Sequence, residues 1–228
     1  MIALVCAMPM ELRPLRRRLG LRKTGPGYAG WIGDHAVIAA VIGIGPAFAA
    51  TATARLLDTL DAELVIVVGI AGATDNQTPI GTLVLPQLVT GGPDGAEYRP
   101  TPLCIGNAHG TLCTTEQLLL DPVLHADLRA RGVVALDMET AAVAKVCSER
   151  GVSWSVVRAI SDRVGDGTVD ADIAGLTHPD GRPNLSAVAR YVVRHPGALP
   201  RLIRLAKDAN LAAERAADAA IKFLTDSR

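Results

Sequence analysis

At 228 residues the chain is long for one domain and short for two, since domains run to about 100–200 residues. A composition of 49% hydrophobic and 20% charged residues excludes a disordered chain. Its 23 basic and 23 acidic residues balance, so the electrostatic footprint of a nucleic-acid binder is missing. We expect one domain, 1–228. A domain of this size buries roughly 70% of its unfolded surface, so its core needs no disulfide or metal staple. Aromatics make up only 3%, which leaves Ala, Val, Leu and Ile to build the core. That aliphatic bias suits the buried strands of an α/β sheet.

Ile2–Cys6 is a continuous apolar run and reads as a first strand. The run is too short for a signal peptide and has no basic flank. No apolar run in the chain reaches the ~20 residues that a membrane helix needs, so no membrane insertion is expected. A helix follows from Pro9 to about Leu19, with Leu12, Leu15 and Leu19 on one face. Its Arg16-Arg17-Arg18 cluster is expected on a solvated face. Ala36–Ile42 reads as a strand ending in Gly43-Ile44-Gly45-Pro46, and Ala47–Leu60 as an alanine-rich helix. Leu64–Val68 reads as a buried strand ending in the turn Gly69-Ile70-Ala71-Gly72.

Further strands are expected at Thr82–Val89, near Leu103–Ile105 and at Thr111–Thr114, with a loop over Thr90–Pro102. A helix at Pro122–Arg131, a strand at Val133–Leu136, a helix at Met138–Glu149 and a strand at Ser153–Ile160 complete the alternation. Arg163–Asn184, polar and punctuated by Gly and Pro, reads as a long loop or flap. Two terminal helices are expected at about Leu185–Arg194 and Leu199–Leu224, the second carrying an Ala/Leu stripe. Repeated β–α alternation implies a layered α/β fold with helices on both faces of the sheet. Cys6, Cys104, Cys113 and Cys147 form no CxxC pair and are expected as buried reduced thiols, which fits a cytoplasmic protein.

Ligands of open α/β sheets sit outside the carboxyl ends of strands, so the residues there carry the function. Three of those ends bear carboxylates: Glu11 after the first strand, Asp137 and Glu139 after Val133–Leu136, and Asp162 after Ser153–Ile160. Two others bear glycines that let backbone approach a ligand. Taken singly, Asp162 suits a helix cap, and Glu11 and Glu139 suit the first turn of a helix. A nicotinamide-dependent enzyme is disfavoured, because Phe48 occupies the third glycine position of GxGxxG. No Walker phosphate loop occurs. A metal at Asp137, Glu139 and Asp162 lacks a neighbouring histidine, and hard cations need several converging oxygens. No metal or cofactor is expected.

Together, Ala7-Met8 with Glu11, Asp137-Met138-Glu139 before an alanine-rich helix, and Arg158-Ala159-Ile160-Ser161-Asp162 resemble the nucleoside phosphorylase superfamily. The likeness covers about residues 1–165 and is greatest to 5′-methylthioadenosine/S-adenosylhomocysteine nucleosidases. The segment His178–Pro183 and the helix beginning at Pro196 resemble the hopanoid-associated members, whose proposed substrate is adenosylhopane. The resemblance implies a three-layer nucleoside-phosphorylase-like fold, a central mixed twisted sheet flanked by helices. It also implies cleavage of a ribose–purine N-glycosidic bond in a small nucleoside, by a homodimer or larger homo-oligomer.

By the same resemblance Asp162 is the general acid to purine N7, with Ser161 fixing its side chain. Holding an Asp of pKa about 3.9 protonated at neutral pH takes about 4 kcal/mol, which desolvation or a neighbouring carboxylate can supply. Glu139 binds the ribose hydroxyls and stabilises the oxocarbenium, and Asp137 lines the same strand end. Met8 belongs to the Glu11 segment, Met138 packs under the sugar, and Glu11 orients or deprotonates the attacking water. The backbone of Ala71-Gly72 approaches base or sugar. Two positions depart from the pattern. Ile70 replaces a Ser, and Leu118 or Leu119 stands where an aromatic residue stacks on the base.

Hydrolysis is preferred to phosphorolysis, because phosphate needs a cationic pocket and Ile70 with Glu11 make this one apolar and anionic. The alternatives are a phosphorylase of the same family, a futalosine- or hopanoid-type nucleosidase, and a nucleoside-binding protein without catalysis. The three carboxylates speak against the last.

Overall fold

A computed structural model describes residues 1–91, 95–165, 176–178, 180–182 and 184–226. The apolar runs become the centre of one sheet of eleven strands. In chain order these are β1 (Ile2–Cys6), β2 (Arg22–Thr24), β3 (Gly27–Ile32), β4 (His35–Val41) and β5 (Leu64–Ala73). Then come β6 (Leu83–Val84), β7 (Leu88–Gly91), β8 (Ala96–Tyr98), β9 (Thr111–Thr114), β10 (Val133–Asp137) and β11 (Ser153–Arg163). The helices are α1 (Pro9–Arg18), α2 (Pro46–Thr59), α3 (Pro122–Ala130), α4 (Thr140–Glu149), α5 (Leu185–Arg194) and α6 (Leu199–Asp226). The sheet is mixed, as expected: β4, β1, β5 and β11 run parallel, while β10 runs antiparallel to β5.

Side chains alternate across the central strands, so each strand feeds two cores. Ala3, Val5, Val65, Val67, Trp154 and Val156 pack with Ala49 and Leu56 of α2 and with Val143, Ala144 and Cys147 of α4. Ile2, Leu4, Cys6, Ile66, Val68 and Val157 pack on the other face with Leu12 and Leu15 of α1 and the alanines of α6. Burial on both faces is why these strands read as unbroken apolar runs rather than alternating ones. Each fully buried Leu or Val contributes about 1.5–3 kcal/mol. Helix α6 presents Ala212, Ala216, Ala217 and Ala220, all at most 2% exposed, so a small-residue stripe lets it lie close on the sheet.

Several elements differ from expectation. The turn expected at Gly69–Gly72 is the second half of β5, which runs on to Ala73. Thr82–Val89 is two short strands, β6 and β7, on either side of Pro86, whose missing N–H cannot serve a ladder. Leu103–Ile105 is not a strand, whereas the loop expected over Thr90–Pro102 contains β8. The hairpin of β2 and β3 was not expected, its half-exposed residues lacking a clean period of two. Most of the loop expected at Arg163–Asn184 lies outside the described residues.

Cys6 and Cys147 are buried thiols, but Cys104 is exposed and Cys113 half-buried. The arginine cluster of α1 is a solvated face tied to α6. Arg17 pairs with Glu214 at 3.2 Å, Arg18 bonds Asp218, and Arg16 lies over the Tyr28 ring. Such exposed pairs are worth about 0–1 kcal/mol each. Among the described residues no helix is long and apolar enough to cross a membrane.

Candidate active site

Strand β5 has two edges, and β11 occupies one of them along its whole length. The other edge is shared: β1 pairs with Leu64–Val67, and β10 pairs with Gly72 and Ala73. Between the two, the backbone of 68–71 has no strand partner on that side. The site forms at this gap.

Glu11 fills it. As the third helical residue of α1, its Oε2 accepts a hydrogen bond from the Met8 N–H at 2.8 Å, the reach-back half of a capping box. Its Oε1 accepts from the Ile70 N–H at 2.9 Å. A side chain here replaces a missing ladder bond. Glu11 is 1% exposed, and burial pushes its carboxyl above the usual range against the opposing pull of Arg158.

Arg158 sits in the apolar strand β11 and is fully buried. Its Nε donates to Asp137 Oδ2 at 3.0 Å, and its Nη2 donates to the same oxygen and to Glu139 Oε2 at 3.0 Å. Its Nη1 lies 3.7 Å from Glu11 Oε1 and has no hydrogen-bond partner among the described residues. Three carboxylates thus surround one guanidinium, whose pKa the carboxylates raise despite its burial.

Asp137, at the end of β10, is fully occupied. Besides Arg158 it accepts from Thr114 Oγ1 at 2.6 Å and from both the hydroxyl and the N–H of Thr140. Asp137, expected as a substrate-binding residue, accepts from Arg158, from β9 and from the first turn of α4. Glu139 precedes that helix but leaves its capping to Asp137. Its Oε1 accepts from the Gly45 N–H at 2.9 Å, so the glycine turn after β4 does meet the site. Glu139 is 5% exposed, and its carboxyl is raised from an ordinary 4.5 to about 7. Burial is the main cause, Arg158 opposes it, and Asp137 and Glu11 add to it.

Gly69 is required by this packing. A Cβ there would stand 2.2 Å from Glu11 Oε1 and 2.5 Å from Arg158 Nη1. Such contacts are shorter than real side chains make.

Asp162 lies on the other edge of β5, inside β11 rather than past its end. The register slips between Ile160 and Asp162, so Ser161 is the extra residue of a bulge and Asp162 pairs with Gly72. Bulges re-aim side chains. Here Oδ2 comes 3.0 Å from where a Gly72 Cβ would be. The Ser161 hydroxyl lies 2.5 Å from Oδ1 and 3.3 Å from the Ala71 carbonyl, which fixes the carboxyl's orientation. Asp162 is half-buried. Gly72 and Ile70 are about 7 Å apart along the strand at ~3.3 Å per residue, so the acid stands near the cluster without joining it.

Met8 and Met138 are half-buried beside these groups in sequence, and Ala71 is buried in β5. Leu118 and Leu119 follow β9, whose neighbouring Thr115 N–H donates to the Asp137 carbonyl at 2.8 Å, so they border the same strand end. Leu118 is exposed, and the Leu119 carbonyl accepts from His125 Nε2 at 2.9 Å. Gly181, at φ +77°, places the turn His178–Arg182 against Met8, since a Cβ there would meet Met8 Cα at 2.8 Å. Residues that sequence reasoning did not single out for the site are Arg158, Gly69, Thr114 and Thr140. An arginine inside an otherwise apolar strand is the signal that marks the first.

Among the described residues no three His, Cys, Asp or Glu side chains are grouped to hold a metal ion. The arrangement offers a half-buried acid, a buried carboxylate fixed by two backbone N–H groups, and a buried guanidinium with one unused nitrogen. Such a set is suited to acid–base chemistry at a polar bond.

The fold and these residues together define an α/β scaffold with a candidate acid–base site. The family model of the phosphorylase superfamily matches residues 1–100 and 106–194, and the chain belongs to that superfamily. Similar proteins include 5′-methylthioadenosine/S-adenosylhomocysteine nucleosidases of Tolumonas auensis and Bacillus thuringiensis. They are 27% and 28% identical to it, and each alignment covers 72% of this chain and 86% of the relative.

Among solved structures, the Neisseria meningitidis nucleosidase of that name, in complex with methylthio-immucillin-A, superposes with a TM-score of 0.71. It is 18% identical, over 99% of this chain and 98% of that one. Futalosine hydrolase of Helicobacter pylori gives 0.73 at 16% identity, over 100% and 97%. These likenesses show that the fold is the three-layer one expected from the sequence.

Proposed function

We propose that the chain, as one domain, hydrolyses the N-glycosidic bond of a 5′-substituted adenine nucleoside, with Asp162 as general acid. The observation that carries this reading is the pairing of Glu11, held by Met8 and Ile70, with the unused Nη1 of Arg158 3.7 Å away. A water there donates to Glu11 and accepts from Arg158, ready to attack C1′. Asp162 protonates the leaving base from the Gly72 side. Glu139 accepts from ribose hydroxyls and, when ionised, offsets the positive charge that develops on the sugar. Asp137 positions Arg158 rather than substrate.

The names of the similar proteins support methylthioadenosine or S-adenosylhomocysteine as the substrate type. Phosphate fits poorly, because three carboxylates and a single guanidinium repel a second anion. Release of adenine from methylthioadenosine is therefore expected to be independent of added phosphate, with free methylthioribose as the other product. A requirement for phosphate, with the sugar recovered as its 1-phosphate, would overturn the reading. The same proposal has the enzyme act in the cytoplasm as a homodimer or larger oligomer.

The raised carboxyl of Glu139 has two consequences with opposite signs. In the free enzyme it stays protonated up to about pH 7, so kcat/KM is expected to fall on the acid side of that value. Glu139→Gln should lower the rate and abolish that limb. For stability, the folded chain keeps a proton that the unfolded chain releases above about 4.5. The contribution of this carboxyl is present below that value and is lost as pH rises through about 7. Denaturant midpoints across this window should fall in the wild type and flatten in Glu139→Gln.

A further inference from the structure

From residue 184 through 208 not one described side chain is buried, although the stretch forms α5, a short 3-10 turn at Pro196–Ala198 and the first turns of α6. The first residue of α6 to enter the core is Ala209. The stretch is not polar. Leu185, Val188, Val192 and Val193 recur at helical spacing on α5, with Arg190 and Arg194 towards the other side. Leu185 is 76% exposed and Val193 81%, and Leu199 and Ile203 are exposed at the start of α6. Tyr191 accepts from Arg201 and its ring meets that of His195, which fastens the two helices to each other. Stable helices that leave leucine and valine in water have an apolar surface still to cover.

Charge indicates what covers it. The whole chain is neutral, yet residues 181–207 hold six basic side chains and no acidic one. These are Arg182, Arg190, Arg194, Arg201, Arg204 and Lys207, and among the described residues Asp180 and Asp208 flank them, pairing with Arg182 and Arg204 at 3.6 Å each. A second copy meeting this face about a two-fold axis would set cation against cation. An interface that offers hydrocarbon and negative charge together is a phospholipid surface.

We infer that α5 and the first turns of α6 form a peripheral docking surface for anionic membranes, lying on the lipid and not through it. The surface joins the site through the turn His178–Arg182, whose Gly181 packs on Met8. Docking thus brings the Met8 side of the site to the lipid boundary. The inference does not depend on which nucleoside is cleaved.

Vesicle flotation of the full chain tests it. Binding is expected to vesicles containing phosphatidylglycerol and not to phosphatidylcholine alone, and to fade with salt. Arg190→Glu with Arg194→Glu should weaken binding by more than tenfold, as each cation near an anionic surface is worth about fivefold. Val193→Glu with Ile203→Glu should also release the protein, while circular dichroism and purine release from a soluble nucleoside stay as in the wild type. Equal binding to neutral vesicles, no binding at all, or binding that survives both double variants would overturn the inference. So would sedimentation showing that Val193→Glu with Ile203→Glu dissociates an oligomer, because the face would then join copies of the chain.

Discussion

Asp162→Asn is expected to lower kcat by about 10²–10⁴-fold, the contribution of a positioned general acid, with little change in thermal stability. The substitution keeps an oxygen to accept from Ser161 and nearly the same volume beside Gly72, so the bulge of β11 has no reason to relax. What it removes is an acidic proton for the leaving base, a need that exists only in the transition state. KM should therefore change much less than kcat. A nucleoside whose base leaves readily without protonation should be affected least, which separates lost acid catalysis from lost binding. Near-normal turnover by the variant on methylthioadenosine would remove Asp162 from this role.

Arg158→Met is expected to be among the most damaging single changes for stability, at about 3–5 kcal/mol. Total stabilities of domains run to about 5–15 kcal/mol, so much of the margin would go. The cost is not chiefly the loss of attractive contacts. Glu11, Asp137 and Glu139 would remain buried with their main counter-charge gone, and two of them already resist ionisation. Denaturant unfolding should show a midpoint shift that Asp137→Asn partly reverses when added to Arg158→Met, since the double variant leaves one fewer orphaned charge. An Arg158→Met protein as stable as the wild type would mean that the carboxylates share protons without the guanidinium.

The sequence made the central strands legible because burial on both faces writes them as apolar runs. β1 coincides with Ile2–Cys6, and α5 coincides with Leu185–Arg194. The carboxylates were legible for a second reason: acids closing apolar runs stand out. What did not show was the geometry of β5. Gly69-Ile70-Ala71-Gly72 has turn composition, and its glycines were read as a bend. They are strand residues kept small by Glu11, Arg158 and Asp162 crowding their missing side chains. Composition cannot tell a glycine that bends the chain from one that makes room. The partners of Asp137 were hidden for a related reason. Its place at a strand end suggested substrate, while its partners Thr114, Thr140 and Arg158 come from three other elements, and only the fold brings them together.

The shared edge of β5 ties two selective demands together. Glu11 is both a candidate reactive group and the stitch between the β1 half of the sheet and the β10 half, each of its oxygens accepting one backbone N–H, from Met8 and Ile70. A lineage that drifted toward Gln at this position would keep one acceptor and put an amide donor against a backbone N–H, losing cohesion and reactivity in one step. Stability cannot be raised here by discarding chemistry, as it can at sites where a strained group serves function alone. The gap in the ladder thereby protects the carboxylate that fills it: the fold itself penalises its replacement, whatever substrate is supplied.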